Sequence, residues 1–326
     1  MISTFKNKLA SHQGWGAFLL KLWVKIVGWV SMSATETLSS GAAKIDEKLK
    51  SFGVARPFFH VVLGSGYKDS LESGIPSDYA VKGEIKFLEV PGLHPSTAPG
   101  HTGKIVVIEH TPTKKVGIVQ VGRLHGYEGL DPREVVLPVM YTRELGTEHY
   151  FITNASGGMD PAHRPGDVML ILDQINLTGN NPLYGENPKK ANGEPWGPRF
   201  QDVTHLFNRE RNQLLRKAFE TQKLKVHEGV YMGVLGPAFE TPAEIAFFTK
   251  IGTHAVGMST VWETVALKHS GAQVNGICLI SNLGAGLARA SDGSQIELDH
   301  FAILDACKSS STAILKGILL TVCDLM

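Results

Sequence analysis

Residues 59–66, Phe-His-Val-Val-Leu-Gly-Ser-Gly, decide the fold class. Phe59 to Leu63 is a short, mostly apolar run of the kind that forms a buried strand, and it leads straight into Gly64-Ser65-Gly66. In α/β proteins, ligand loops sit at this junction, just beyond the carboxyl end of a strand. The loop continues Tyr67-Lys68-Asp69, so the third glycine of a dinucleotide fingerprint is missing, and no Gly-Lys-Ser/Thr tail follows to make a P-loop. What remains is a tight turn offering a hydroxyl and backbone N–H groups, suited to a single phosphate. Taken alone, a purely structural turn is the better reading of it.

The same alternation of apolar runs and helical patterns extends in both directions. Upstream, Ile45, Leu49 and Phe52 recur at helical spacing, and Gly53 is placed to end that helix. Downstream, Lys104 to Glu109 and Lys115 to Val121 read as paired strands joined by a Thr-Pro-Thr-Lys turn. Val168 to Leu172, Val230 to Leu235 and Gln273 to Ser281 read as further strands. Thr241-Pro242-Ala243-Glu244 is a capping box with proline at the first helical position; Ile245, Phe248 and Ile251 would line one face of its helix, closed by Gly252. Glu297 to Leu325 reads as one long C-terminal helix, with a break around Ser309 to Ser311. Asn176 to Gln201, rich in Asn, Gly and Pro, is a long loop, and loops of that length are usually functional or disordered. The pattern is α/β, with one domain over residues 40–326.

Composition narrows the function classes. The 326 residues include 32 basic and 31 acidic side chains, a net charge of +1. That balance argues against a nucleic-acid-binding surface, though not against a local basic pocket for a small anion. Cys278, Cys307 and Cys323 have no C-x-x-C spacing, so they form neither a metal template nor a disulfide framework, and a reducing, cytoplasmic setting fits best. From Ser33 onward no run approaches the roughly 18 apolar residues of a membrane span. Residues 1–31 are an extension: Gly14 to Val30 is apolar and aromatic, but Lys21 and Lys25 interrupt it and weaken signal-peptide and transmembrane readings alike. An interfacial amphipathic helix and a stretch preceding a true start at Met32 both remain; the second is preferred.

Several segments could carry chemistry. Arg123, His125 and Tyr127 follow a strand and, in an extended stretch, share a face; on a buried strand end they need partners, which an anion and a sugar would supply. A solvated edge strand is the duller alternative. Asn154-Ala155-Ser156-Gly157-Gly158 reads as a second small-residue loop that lets a ligand approach the backbone. Glu240 lies just outside a helix N-terminus, which favours its ionised form. Met258, in Gly257-Met258-Ser259-Thr260, is by itself a core residue sooner than a contact, and His300 by itself a structural or surface histidine. Paired carboxylates for glycoside hydrolysis stay open.

Together, Gly64-Ser65-Gly66, Gly100-His101-Thr102-Gly103, Gly122 to Gly129, Thr153 to Gly158, Gly166 to Asn176, Gly236 to Thr241 and Ala255 to Thr260 resemble the trimeric purine nucleoside phosphorylase family, in order and spacing from about Ser40 onward. The resemblance implies a single α/β domain with a central mixed β-sheet flanked by helices. It implies that Ser65, His101, Arg123, His125, Ser259 and the backbone N–H of Ala155 hold phosphate. Tyr127 and Met258 would border the ribose, with His300 near its 5′-hydroxyl. Glu240 and Asn282 would hydrogen-bond the purine, Phe239 would pack on its ring, and Phe200 would close the site of a neighbouring subunit in a homotrimer. Glu240, Asn282 and His125 would carry catalysis with phosphate as co-substrate and with no metal or organic cofactor.

The sequence departs from the family pattern in places. Tyr67-Lys68-Asp69 replaces a Leu-Gly, Trp262 stands where proline is common, and the stretch between Asn282 and His300 is longer. Two rival functions remain: a phosphorylase of 6-amino nucleosides, including methylthioadenosine, which would favour aspartate at position 282, and a nucleoside-binding protein without catalysis.

Overall fold

The computed structural model describes residues 33–67, 70–95, 97, 102–288, 294 and 308–326. Its first helix, α1 (Ala34–Ser51), opens on a capping box between Ser33 and Glu36 and closes at Phe52, with Gly53 at φ 70°. The helix therefore starts six residues ahead of Ser40, and its apolar positions Leu38, Ala42, Ile45 and Leu49 are buried.

Among the described residues nine strands form one continuous sheet: β1 (Pro57–Leu63), β2 (Tyr79–Lys86), β3 (Lys104–His110), β4 (Val116–Val121), β5 (His149–Gly158), β6 (Val168–Asn176), β7 (Val226–Gly233), β8 (Ala255–Gly257) and β9 (Gln273–Leu283). Their order is β2-β3-β4-β1-β5-β8-β7-β6-β9, and β5 also pairs with β9. That last pairing closes β5, β9, β6, β7 and β8 into a ring, from which β1, β4, β3 and β2 extend as an open wing. The sheet is mixed: β1 is parallel to β4 and β5, whereas β3 is antiparallel to β2 and β4. Two sequence expectations differ here. Asn154 to Gly158 is not a loop but the second half of β5, because it pairs with β9 and β8 as far as Gly158. The strand predicted to end at Ser281 runs on to Leu283, so Asn282 likewise lies within β9.

Alternation along the strands sends side chains to two apolar layers. Val62, Ile105, Val107, Ile118 and Ile152 face α1, α4 (Leu137–Glu144) and α7 (Val261–His269). Phe59, Val61, Val106, Val119 and Phe151 face α5 (Arg209–Thr221) and α8 (Lys308–Cys323). The remaining helices are the short α2 (Ser70–Gly74) and α3 (Pro132–Val135), and α6 (Pro242–Lys250). α6 starts at the expected capping box on Thr241 and buries Ile245 and Phe248, but Ile251 falls at its C-cap and is exposed. α8 is the described part of the predicted C-terminal helix; residues 295–307 lie outside the described residues. No helix among the described residues is long and apolar enough to cross a membrane.

Candidate active site

The carboxyl ends of β1, β4, β5, β8 and β9 converge on an open cleft of about 750 Å³. Lining it are Ser65, Arg123, His125, Tyr127, Ala155, Phe239, Glu240, Met258, Ser259 and Asn282, together with neighbouring backbone. Ten of the predicted site residues, scattered over more than 200 positions of sequence, thus share one wall-to-wall space. His101 and His300 lie outside the described residues. Phe200 sits on the long loop, 91% exposed, and does not line this cleft.

Arg123 anchors one end. It is 1% exposed, and its guanidinium donates to the Glu263 carboxylate at 2.7 Å, to the Thr153 carbonyl and to the Thr260 hydroxyl at 3.5 Å. Burial pushes the Glu263 carboxyl up, and Arg123 opposes that shift. β4 is internal to the wing, so the solvated-edge reading of Arg123, His125 and Tyr127 does not hold. Gly64 makes the close packing possible: a Cβ there would stand 3.1 Å from the backbone of Asn154 and 3.2 Å from Arg123 Nη2.

His125 is buried, stacks on Tyr127 with ring centroids 4.5 Å apart, and shares its Nδ1 with Glu128 at 3.2 Å. Burial holds the imidazole below its ordinary range despite Glu128. Glu128 itself is pushed up by burial, but hydrogen bonds from His125 and Thr97 outweigh that and hold it at about 2. Burial pushes Tyr127 up to about 12. The floor of the cleft is braced by polar contacts: Asn154 Nδ2 donates to Thr260 Oγ1 at 2.8 Å, and the Tyr231 hydroxyl donates to the Ser259 carbonyl at 3.2 Å. Thr260 holds a φ of 74°, which is strained for a β-branched residue and sustained here by the groups gripping its hydroxyl.

At the other end, Asn282 donates through Nδ2 to the Leu283 carbonyl at 2.9 Å, while its Oδ1 accepts from the Ser281 hydroxyl at 2.8 Å. A flipped amide would set Oδ1 against the Leu283 carbonyl, so the orientation is fixed. One amide hydrogen is left to donate into the cleft. Glu240 is half-buried, and burial pushes its carboxyl up, against the direction its place ahead of α6 suggests. Desolvation in the cleft outweighs the lowering by a backbone hydrogen bond, and the nearby Glu244 charge adds to the rise.

Glu263, Glu128, Asn154 and Thr260 escaped sequence reasoning. A signal existed for Glu263, a lone carboxylate inside the apolar run Val261–Leu267, all of which is buried. Trp262, one of the departures, lies against Gly126 and donates from Nε1 to Thr178 Oγ1 at 2.9 Å, tying the long loop to α7. Tyr67, another, is buried in the α5–α8 layer, and its carbonyl accepts from the Ser70 hydroxyl at 2.6 Å at the start of α2.

Known proteins resemble this chain in sequence and fold. Residues 73–319 match the phosphorylase superfamily, which defines the class. The chain is 38% identical over 234 residues to purine nucleoside phosphorylase 1 of Geobacillus stearothermophilus, covering 71% of this chain and 80% of the relative. It is 36% identical over 261 residues to the purine nucleoside phosphorylase of Mycobacterium tuberculosis, covering 80% and 87%. A crystal structure of the Schistosoma mansoni purine nucleoside phosphorylase in complex with adenosine superposes with a TM-score of 0.73 at 27% identity, over 89% of this chain and 98% of the other. The chain belongs to the purine nucleoside phosphorylase family.

Proposed function

We infer that this chain is a purine nucleoside phosphorylase that cleaves the glycosidic bond of 6-oxopurine (deoxy)ribonucleosides such as inosine and guanosine with inorganic phosphate. The products are free base and (deoxy)ribose 1-phosphate. The observation that carries this reading is the convergence of an anion-suited set, Ser65, Arg123, His125, the Ala155 N–H and Ser259, with a base-suited set, Phe239, Glu240 and Asn282, in one cleft. His101 would join the first set and His300 would reach the 5′-hydroxyl.

Phosphate held beside Arg123 and His125 lies below the anomeric carbon. As the C–N bond breaks, its electron pair leaves with the purine, and positive charge develops on the ribose. Phosphate stabilises that charge and one of its oxygens then bonds to the anomeric carbon. Asn282 donates to the N7 and 6-oxo side of the departing base, and Glu240 fixes the ring. The rate gain comes from positioning and preorganised dipoles, so no metal or organic cofactor enters the chemistry. Water exclusion favours phosphorolysis over hydrolysis. Phe200, exposed on its loop, would close the cleft of a neighbouring copy, which gives a homotrimer with sites at subunit interfaces. The reaction belongs to purine salvage, and a cytoplasmic setting fits it.

The rival substrate class is the 6-amino nucleosides, since the Schistosoma mansoni relative holds adenosine. The pinned amide of Asn282 favours the 6-oxo class: its free group is a donor, and a 6-oxopurine presents acceptors at that edge. The test is release of free base from inosine, guanosine and adenosine with and without phosphate. Phosphate-dependent cleavage of the first two supports the reading. Adenosine preference would overturn the Asn282 argument, phosphate-independent cleavage would mean a hydrolase, and no cleavage would leave a binding protein.

A further inference from the structure

At the far end of the wing, Asp78, His110 and Cys323 bring a carboxylate oxygen, an imidazole nitrogen and a sulfur within 4.8 Å of one another. They come from the residue before β2, the last residue of β3 and the last residue of α8. The cleft lies beyond the carboxyl end of β4; β3 runs antiparallel to β4, so His110 sits at the opposite end of the strand pair. At about 3.3 Å per residue, the length of β4 separates the two by roughly 20 Å.

Each donor is held in place, Cys323 by its thiol, which donates to the Leu319 carbonyl at 3.3 Å and lies 3.4 Å from the Tyr79 hydroxyl. The Asp78 carbonyl accepts from the Thr111 N–H at 2.8 Å and from its hydroxyl at 3.0 Å, which pins that segment to the β3–β4 turn. The Thr113 hydroxyl lies 3.1 Å from Met326 Sδ and 2.9 Å from His110 Nδ1, a placement that suits the tautomer with hydrogen on Nδ1. With the hydrogen on Nδ1, the Nε2 lone pair faces Asp78 Oδ2 at 3.2 Å and Cys323 Sγ at 3.7 Å. In that tautomer the facing carboxylate repels the lone pair unless a positive centre lies between them.

Tetrahedral coordination at zinc bond lengths, roughly 2.0 Å to nitrogen and oxygen and 2.3 Å to sulfur, sets N···O and N···S edges of about 3.3 and 3.6 Å. The two separations from Nε2, 3.2 and 3.7 Å, are close to those edges, and the Asp78 and Cys323 ligand atoms lie within 4.8 Å of each other. Thiolate, imidazole and carboxylate together select a borderline-soft divalent ion over calcium or magnesium. The Asp78 side chain is 40% exposed, which provides an entry path and room for water as fourth ligand. We propose that Asp78, His110 and Cys323 form a binding site for a zinc-class divalent metal that ties the end of α8 to the β2–β3 edge. The sequence hid it because its donors stand 32 and 213 positions apart. The site is independent of the proposed chemistry in the cleft.

The experiment uses the full chain, stripped with a chelator and titrated with Co²⁺ and then Zn²⁺. Expected are the visible bands of tetrahedral, thiolate-bound cobalt at one ion per chain, their displacement by zinc, and a rise of a few degrees in Tm. Cys323→Ser should remove the thiolate band, whereas Cys307→Ser should keep it. Thr113→Val, which frees the His110 ring without removing a ligand, should weaken binding about tenfold or more. Metal-free Tm and phosphorolysis serve as folding controls for each variant. A cobalt spectrum without thiolate character, binding unchanged in Cys323→Ser, or no binding with an intact fold would overturn the proposal and leave a histidine–carboxylate hydrogen bond.

Discussion

The two ends of the cleft are built differently. At the end proposed to hold the anion, Arg123 and His125 are buried, braced by Glu263 and Glu128, and backed by strand interiors. At the base end, Phe239 is 43% exposed, Glu240 is half-buried, and the ring expected to cover them, Phe200, stands in solvent on its own chain. Rigid charged groups have to be held apart from water before the anion arrives, or its binding would be spent on reorganising them. A planar base can instead be enclosed after it binds, by parts that move or by another copy. Preorganisation is therefore concentrated where charge is handled, and adaptability where shape is.

The sharpest way to break that contrast is at Arg123. Arg123→Ala should lower kcat/KM by at least about 10²–10³-fold, as loss of a preorganised donor does. It should also destabilise the fold by about 3–5 kcal/mol, because Glu263 is left as a buried charge without its partner. Replacing the pair by Arg123→Met with Glu263→Met separates the two effects: stability should recover while activity stays lost. Steady-state kinetics and chemical denaturation of both variants check this, and recovered activity in the double variant would mean that the guanidinium does not handle phosphate.

At the base end the expected effects are smaller and concern selection. Asn282→Asp replaces a donor by an acceptor, and the ratio of kcat/KM for inosine over adenosine should fall about 10- to 100-fold, the scale of one or two mispaired hydrogen bonds. An unchanged ratio would remove Asn282 from the selection of the base.

His125 and Glu128 give the anion end a pH signature. Burial lowers the His125 pKa, so below about pH 6.5 the unfolded chain takes up a proton that the folded site refuses, and stability declines as pH falls. Glu128, held at about 2, adds a contribution present above its unfolded value near 4.3 and lost as pH falls from there toward 2. Both act in the same direction. Glu128→Gln should lower Tm at pH 7 by a few degrees, flatten the decline below about pH 4.5, and reduce kcat/KM by roughly tenfold through a less constrained His125. Melting curves at pH 7, 5.5, 4 and 3 for the two proteins test it; parallel declines would clear Glu128 of the role.

How legible each end was in the sequence follows the same contrast. Gly64-Ser65-Gly66 and Arg123-Leu124-His125-Gly126-Tyr127 are contiguous and follow strands, so local pattern exposes them. Their braces are not contiguous: Glu263 lies 140 positions from Arg123, and nothing in a period of 2 or 3.6 signals which buried carboxylate meets which arginine. In the wing β2, Tyr-Ala-Val-Lys-Gly-Glu-Ile-Lys, is too polar to be read as an apolar run, whereas β1, β3 and β4 were readable that way. The extension of β5 through Asn154-Ala155-Ser156-Gly157-Gly158 was not, because small polar residues carry loop propensity and only pairing with β8 and β9 overrides it. Ring closure through β5 and β9 is a long-range property of the same kind.

Phe200 tests the comparison at its weakest expected effect. On this chain the ring meets little besides Arg199, whose guanidinium lies 5.8 Å from the ring centroid. Leaving so large an apolar group in water is uncommon without a surface to receive it. If a neighbouring copy receives it over the base end, Phe200→Ala should raise the KM for nucleoside several-fold and leave the KM for phosphate nearly unchanged, because Ser65, Arg123, His125, Ala155 and Ser259 line the cleft from one chain. Stability of the isolated fold should change little, since no core contact is lost. The same kinetics run across a dilution series, alongside sedimentation, separate the possibilities. A trimer with a nucleoside-only KM effect supports the division between a finished anion end and a shared base end. A monomer with full activity and no effect of Phe200→Ala would place the closing group elsewhere and make the base end self-sufficient.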